Sequence, residues 1–248
     1  MARVGVISDT HFPAVHPGAI AFLMDIFYAW DIDRVVHIGD VSDLHGPSFY
    51  DKHPEMPGPK DEFNQAYHWV QYLDARLHKA GLVSVTKPML VCEGNHDDRP
   101  KRVAAKYGVA SKFLTAHSEV WGTPNWQWAL EHEIDGVLYM HGHKKCGGGE
   151  HPAHLTLKKG LDMSIVLGHY HTKGGVNPLP GRKTLRWGMD VGCLVDRLHP
   201  AMEYFESGSM KQMMSCGVVI DGHPYYEMMP CGRGEKYDRK RFTKKGKP

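Results

Sequence analysis

Five short apolar runs in this 248-residue chain stop in the same way, at residues able to bind a metal or move a proton. Arg3–Ser8 leads into Asp9 and His11, and Arg34–Ile38 into Asp40 and Asp43. Met89–Cys92 leads through Gly94 into Asn95, His96 and Asp97. Gly136–Met140 ends on His141, and Met163–Leu167 on Gly168, His169 and His171. One carboxylate or imidazole after a strand is most often a turn residue or a helix cap. Five such endings in one chain need another explanation. Strands that share a sheet bring their polar ends to one rim, where α/β proteins place their ligand sites.

The residue types select the chemistry. Carboxylates, imidazoles and an amide, without thiolates, suit Mn²⁺, Fe or Zn²⁺ rather than a structural cysteine site. Seven such ligands exceed the needs of one tetrahedral ion and suit two ions sharing a carboxylate. Two ions roughly 3.5–4 Å apart form the clamp used on phosphate esters: they hold phosphoryl oxygens, lower the pKa of a bridging water and stabilise in-line displacement.

The elements that position these residues follow from hydrophobic pattern. Ala19 to Trp30 is apolar on most faces, as a helix packed on a sheet should be, and links the first two strands as a right-handed βαβ unit. Leu44 to Lys60 holds four prolines and two glycines and reads as a long irregular loop. Asp61 to Lys79 has helical spacing, with Gly81 past its end, and Arg99 to Tyr107 reads as a short helix stopped by Gly108. Phe113 to Glu133, with Trp121, Trp126 and Trp128 among polar residues, resists assignment. Cys146 to Gly149 reads as flexible and His151 to Lys159 as helical. After a glycine-rich loop, Thr184 to Val195 reads as one strand or two. Asp221-Gly222 between two β-like runs predicts a hairpin. The pattern predicts a single domain over residues 1–235 and a basic, flexible tail over 236–248.

Composition narrows the class. The chain is 42% hydrophobic and 23% charged, ordinary for a soluble globular protein. A net charge of +2 does not by itself indicate nucleic acid. Five cysteines without CxxC spacing argue against a disulfide framework or a thiolate zinc site and for a reducing, cytoplasmic setting. Met1-Ala2-Arg3 leads straight into a strand, so no signal peptide is expected, and no apolar run approaches the ~20 residues that span a bilayer. Histidine is the outlier, at 18 residues.

The ordered series Asp-x-His, Gly-Asp-x-x-Asp, Gly-Asn-His-Asp, His-Gly and Gly-His-x-His, from Asp9 to His171, resembles the calcineurin-like metallophosphoesterase superfamily. The resemblance implies an α/β fold, a β-sandwich flanked by helices in four layers (α/β/β/α), with two divalent ions at the strand ends. It implies that Asp9, His11 and His171 hold one ion, that Asn95, His141 and His169 hold the other, and that Asp40 bridges them. Mn²⁺ is the first expectation, with Fe, Zn²⁺, Ni²⁺ or Mg²⁺ as alternatives. By the same resemblance a bridging hydroxide is the nucleophile, His96 protonates the leaving oxygen, and Asp43 orients His96. The protein Ser/Thr phosphatase branch has an arginine where this chain has Leu44, which argues against that activity. The Gly-Asn-His-Asp-Asp-Arg run, with Asp51-Lys52-His53-Pro54-Glu55 before it, is most similar to short stand-alone phosphoesterases of phages and bacteria.

Other residues have two readings each. Arg99 either reaches a substrate phosphate or lies on the surface of its helix. His45 follows Asp43 at the rim, where it contacts a leaving group or is a plain loop histidine. His143 is the alternative to His141 as ligand, and otherwise faces substrate or solvent. His37, inside the second strand, reads as a hydrogen-bonded core residue. The three tryptophans stack on bases or pack in the core, and the tail from Lys236 neutralises nucleic-acid phosphates or is simply solvated. The function expected is a phosphodiesterase acting on a nucleotide-like substrate. The alternatives are a broad phosphomonoesterase and a nuclease or nucleic-acid-binding protein with the same metal site.

Overall fold

Side chains of β1 (Arg3–Ile7) alternate between two cores, and the same alternation organises the whole molecule. Val4 and Val6 point one way, and Ile7 points the other. β2 (Arg34–His37) divides Val36 from Val35, and β3 (Met89–Cys92) divides Leu90 and Cys92 from Met89 and Val91. A period of two with both faces apolar means a sheet covered on both sides. In this computed structural model, residues 1–49, 54–144, 146, 149–201, 212–230 and 236–238 are described.

One cover is helical. α1 (Ala19–Ala29) buries Ile20, Phe22, Leu23, Ile26 and Phe27, and α2 (Pro59–Lys79) buries Ala66, Val70, Leu73 and Leu77 at helical spacing. Both pack on Ile7, Val35, Met89 and Val91. The other cover is a second sheet. After α3 (Arg99–Lys106), a 3₁₀ turn (Ser111–Phe113), α4 (His117–Val120) and β4 (Trp126–Ala129), the chain crosses over at β5 (Glu131–Ile134) and β6 (Val137–Met140). Then come α5 (Pro152–Lys158), β7 (Ser164–Leu167), β8 (Gly175–Pro180), β9 (Leu185–Asp190), β10 (Ser215–Ile220) and β11 (His223–Met228). The first sheet has six strands in the order β11-β10-β1-β2-β3-β4, the second five in the order β5-β6-β7-β9-β8.

Val137, Tyr139, Val166, Trp187 and Met189 meet Val4, Val6, Val36 and Ile38 between the sheets. The far side of the second sheet packs Met140, Ile165 and Leu167 on Ala153 and Leu157 of α5. The order of layers is therefore helices, six strands, five strands, helix, as expected.

One loop assignment needs correction, and two points that the sequence left open are settled. The five strand endings do not share one sheet: β1, β2 and β3 belong to the first, β6 and β7 to the second. The glycine-rich stretch before Thr184 contains β8, which pairs antiparallel with β9 from Gly175 opposite Asp190 to Pro180 opposite Leu185. Phe113 to Glu133 holds α4, β4 and most of β5. Trp121 and Trp126 lie in the helix-side core and Trp128 packs against it, which removes them from a base-stacking role. The Asp221-Gly222 hairpin is present, with both turn residues at positive φ. Tyr237, assigned to the tail from sequence, donates its hydroxyl to Asp25 of α1 at 3.0 Å. The basic residues from Arg239 onward lie outside the described residues, as do Asp51-Lys52-His53 and Gly147-Gly148. Among the described residues no helix is long and apolar enough to cross a membrane.

Candidate metal centre

Parallel strands deliver their C-terminal ends to one side. β1, β2 and β3 are mutually parallel in the first sheet, and β6 and β7 in the second. The two sets of endings meet across the sandwich: His171 Nε2 lies 3.1 Å from Asp9 Oδ1, and His141 Nε2 lies 3.2 Å from Asp40 Oδ2.

The glycines of the motifs permit this approach. A Cβ on Gly94 would stand 2.1 Å from Asp40 Oδ1, and one on Gly168 would stand 2.6 Å from Asp9 Oδ2. No larger residue fits either place. The backbone is bent as well. Asp9 (φ 47°), His11 (φ 45°), Asp40 (φ 52°) and His169 (φ 69°) all lie in the left-handed region. Such strain, on the order of 1 kcal/mol or more per residue, is held where surrounding structure fixes it, and it gathers at functional sites.

Two clusters result. Asp9, His11 and His171 bring one ligand atom each within 4.8 Å of one another, and so do Asp40, His141 and His169. Asn95 Oδ1 joins the second cluster through His141 Nε2, at 3.0 Å. Asp40 Oδ2 is 3.5 Å from His11 Nε2, so this carboxylate stands between the clusters. His11, Asp40 and His96 form a third overlapping group. The donor set suits divalent ions. His141 and His11 present their Nε2 atoms inward because the other nitrogen is already engaged: His141 Nδ1 donates to Ile38 O at 2.9 Å and His11 Nδ1 to Asp43 Oδ1 at 3.0 Å. Partners of this kind fix the tautomer and direction of metal-binding histidines.

Burial and pairing shape the charges. Burial opposes ionisation of Asp9, yet His141, His11 and His171 beside it hold its carboxyl well below the usual range. Asp40 and Asp43 are held low in the same way, against burial, by His141 and His11 respectively and by His96. Burial works against the cation of His11 too, but Asp43 and Asp9 raise it to about 10. His141, likewise buried, is raised to about 9 by Asp40 and Asp9. His37 behaves as a core residue. Its Nδ1 accepts from Gly39 N at 3.2 Å, its Nε2 meets Thr10 Oγ1 at 3.0 Å, and burial lowers it to about 3.

Asp43 is the hub of the outer ring. Its Oδ1 lies 3.0 Å from Nδ1 of both His11 and His96, and its carbonyl accepts from His96 Nδ1 at 2.8 Å. Arg99 is no surface residue. It is buried, Nη1 donates to the carbonyls of Asp43 and Leu44, and Nη2 approaches His96 Nε2 at 3.2 Å. The Leu44 side chain packs toward the helix-side core. His143 is half-buried with its ring 5.3 Å from that of His141, outside the two clusters. The His45 backbone N–H is held by Glu62.

Two residues of the site had no assigned role in the sequence. Asp97, fully buried, accepts from the N–H of Val41 at 3.1 Å and of Gly94 at 3.0 Å, which ties the Asp40 turn to the Asn95 turn. Burial and then Asp40 push its carboxyl up to about 7. Its place inside the Gly-Asn-His-Asp run was the available signal. Glu62, in the first turn of α2, accepts from the N–H of His45 and from Gly46 N at 2.8 Å. Nothing local marks it, because its partners come from the preceding loop.

Comparison with curated protein sequences found no match. Among solved structures, a Chaetomium thermophilum Vps29 is similar at 11% identity, with 96% of this chain and 91% of that chain covered and a TM-score of 0.47. The Escherichia coli phosphoesterase Yfce shares 14% identity, with 88% of each chain covered and a TM-score of 0.41. The Pseudomonas putida nuclease MPE shares 11% identity, with 90% and 86% covered and a TM-score of 0.41. The sequence model for the calcineurin-like phosphoesterases matches residues 2–199. That match spans every strand ending of the metal centre, and the chain belongs to the calcineurin-like phosphoesterase family.

Proposed function

We propose that this protein is a two-metal phosphodiesterase that acts on a nucleotide-like ester, with His96 as general acid. The observation that carries the proposal is the place of His96. Its ring stands at the edge of the metal clusters, Nε2 3.9 Å from Asp40 Oδ2, while Asp43 holds Nδ1. A purely structural metal site has no use for an imidazole held there. Asp9, His11 and His171 would hold one ion and Asn95, His141 and His169 the other, with Asp40 between. Divalent ions bound there would polarise phosphoryl oxygens and lower the pKa of a water molecule. With Nδ1 held by Asp43, Nε2 is the nitrogen of His96 left for chemistry; it accepts from Arg99 here, so to act as general acid it would take up a proton and exchange the guanidinium for the leaving oxygen. Asp43 then steadies the charged ring.

A diester is favoured over a monoester by the state of Arg99. A doubly charged terminal phosphate is best held by a free guanidinium fork. Here that fork is already engaged by the carbonyls of Asp43 and Leu44 and by His96. The test compares bis(p-nitrophenyl) phosphate with p-nitrophenyl phosphate, using metal-stripped protein reloaded with Mn²⁺, Ni²⁺, Zn²⁺ or Mg²⁺. Preferred hydrolysis of the diester, dependent on metal and lost in His96→Ala, is the expected result. Preference for the monoester would overturn the diester reading. Failure with both esters and every metal would overturn the enzymatic one.

A further inference from the structure

We propose that the face formed by α3, the 3₁₀ turn after it and Phe49 binds single-stranded nucleic acid and leads it to the metal centre. The inference rests on the phosphodiesterase reading and names its substrate class. α3 begins at Arg99, directly after the Asn95-His96 turn, and Arg102 Nη2 donates to Asn95 O at 2.9 Å. The helix therefore starts at the site and runs away from it, about 10 Å from Arg99 to Lys106. Beyond the buried Arg99, the chain as far as Phe113 carries four cations, Lys101, Arg102, Lys106 and Lys112, and no carboxylate. The acidic groups at the start of the helix are matched: Glu93 takes Lys101 at 2.6 Å, and Asp98 faces Lys144 at 4.0 Å.

Aromatic rings lie among these cations, and they are exposed. Tyr107 is 74% exposed, Phe113 75% and Phe49 55%, unlike the tryptophans. Lys106 Nζ sits 4.5 Å from the centre of the Phe49 ring and 6.0 Å from that of Tyr107, and Lys112 Nζ sits 5.5 Å from Phe113. Single exposed rings are common, but Phe49 and Tyr107 share Lys106, and grouped exposed rings mark a binding surface. Rings alternating with cations are what a single strand needs: cations neutralise its phosphates while unpaired bases stack on the rings. A duplex hides its base faces and would leave Tyr107 and Phe113 unused. An acidic protein would use the cations without needing the rings.

The test is anisotropy of fluorescein-labelled oligothymidylate with the full chain in EDTA, over a salt series. Binding should weaken linearly with log salt, and Lys106→Ala should lower the slope by about 0.7. Tyr107→Ala combined with Phe113→Ala should weaken binding by about tenfold or more with the slope unchanged. Both variants should hydrolyse bis(p-nitrophenyl) phosphate at the wild-type rate and melt at the wild-type temperature, since neither touches the centre. Wild-type affinity in both variants would overturn the proposal, and so would inorganic polyphosphate competing as well as the oligonucleotide. Hydrolysis of the small diester without oligonucleotide binding would overturn this inference alone. Binding through this face without hydrolysis of any ester would overturn the phosphodiesterase reading and leave the face standing.

Discussion

Asp43 is shared by two histidines for which different tasks are proposed, and substitution should expose the difference. It fixes His11, which points Nε2 into the metal cluster, and it fixes His96, the proposed proton donor. Asp43→Ala should weaken metal binding by about 10–100-fold, the usual cost of losing such a partner, and also lower turnover at saturating metal. His96→Ala should lower turnover with metal affinity intact. Loss of metal in His96→Ala would mean that His96 is itself a ligand. The same carboxylates make metal binding depend on pH. Without metal, His11 is raised to about 10 and His141 to about 9, so both rings carry an extra proton at neutral pH. That proton must leave before Nε2 can bind an ion. Affinity should therefore rise with pH up to about 10, and binding should release protons. Calorimetry of Mn²⁺ binding in two buffers of different ionisation enthalpy measures this. Equal heats in both buffers would show that the ligands are already deprotonated.

At the scale of elements, what was legible in the sequence is what local chemistry dictates. The strand endings could be read because Asp, His and Asn after an apolar run are conspicuous, and α1 and α2 could be read because their apolar spacing is helical. β8 was hidden by Pro178 and Pro180, which argue against a strand, yet β8 is an edge strand, where proline is tolerated. β4 was hidden because Trp126 and Trp128 stand among polar residues and give no clear period. The division of the five endings between two sheets was not legible, since pairing partners far apart in sequence decide it. Glu62 escaped for the same reason. Its carboxylate serves two backbone N–H groups of the loop that carries His45, and an amide in its place can accept only through its one oxygen. Glu62→Gln should therefore leave one part-buried N–H poorly satisfied. The expected loss is roughly 1 kcal/mol by urea unfolding, with faster proteolytic cutting between Leu44 and Gly58. Unchanged stability and cutting would mean that the loop is held by other contacts.

At the scale of the molecule, the centre is a joint between the two sheets. Asp9, His11, Asp40 and Asn95 come from the six-stranded sheet, and His141, His169 and His171 from the five-stranded one. Each cluster draws on both: Asp9 and His11 with His171, Asp40 with His141 and His169. Separating the sheets would break both clusters, so metal should stabilise the sandwich as a whole rather than one loop. Ligand that binds only the folded state adds RT ln(1 + [L]/Kd), about 2.7 kcal/mol at a hundredfold excess over Kd. For a chain of this size that corresponds to a rise in Tm of roughly 5–10 °C. Calorimetric melts with and without Mn²⁺ should show one transition that moves upward with metal concentration. Asp40→Asn should nearly abolish the shift, since Asp40 serves both clusters. A melt in which metal moves only a separate, smaller transition would show that the ions order the rim without joining the two sheets.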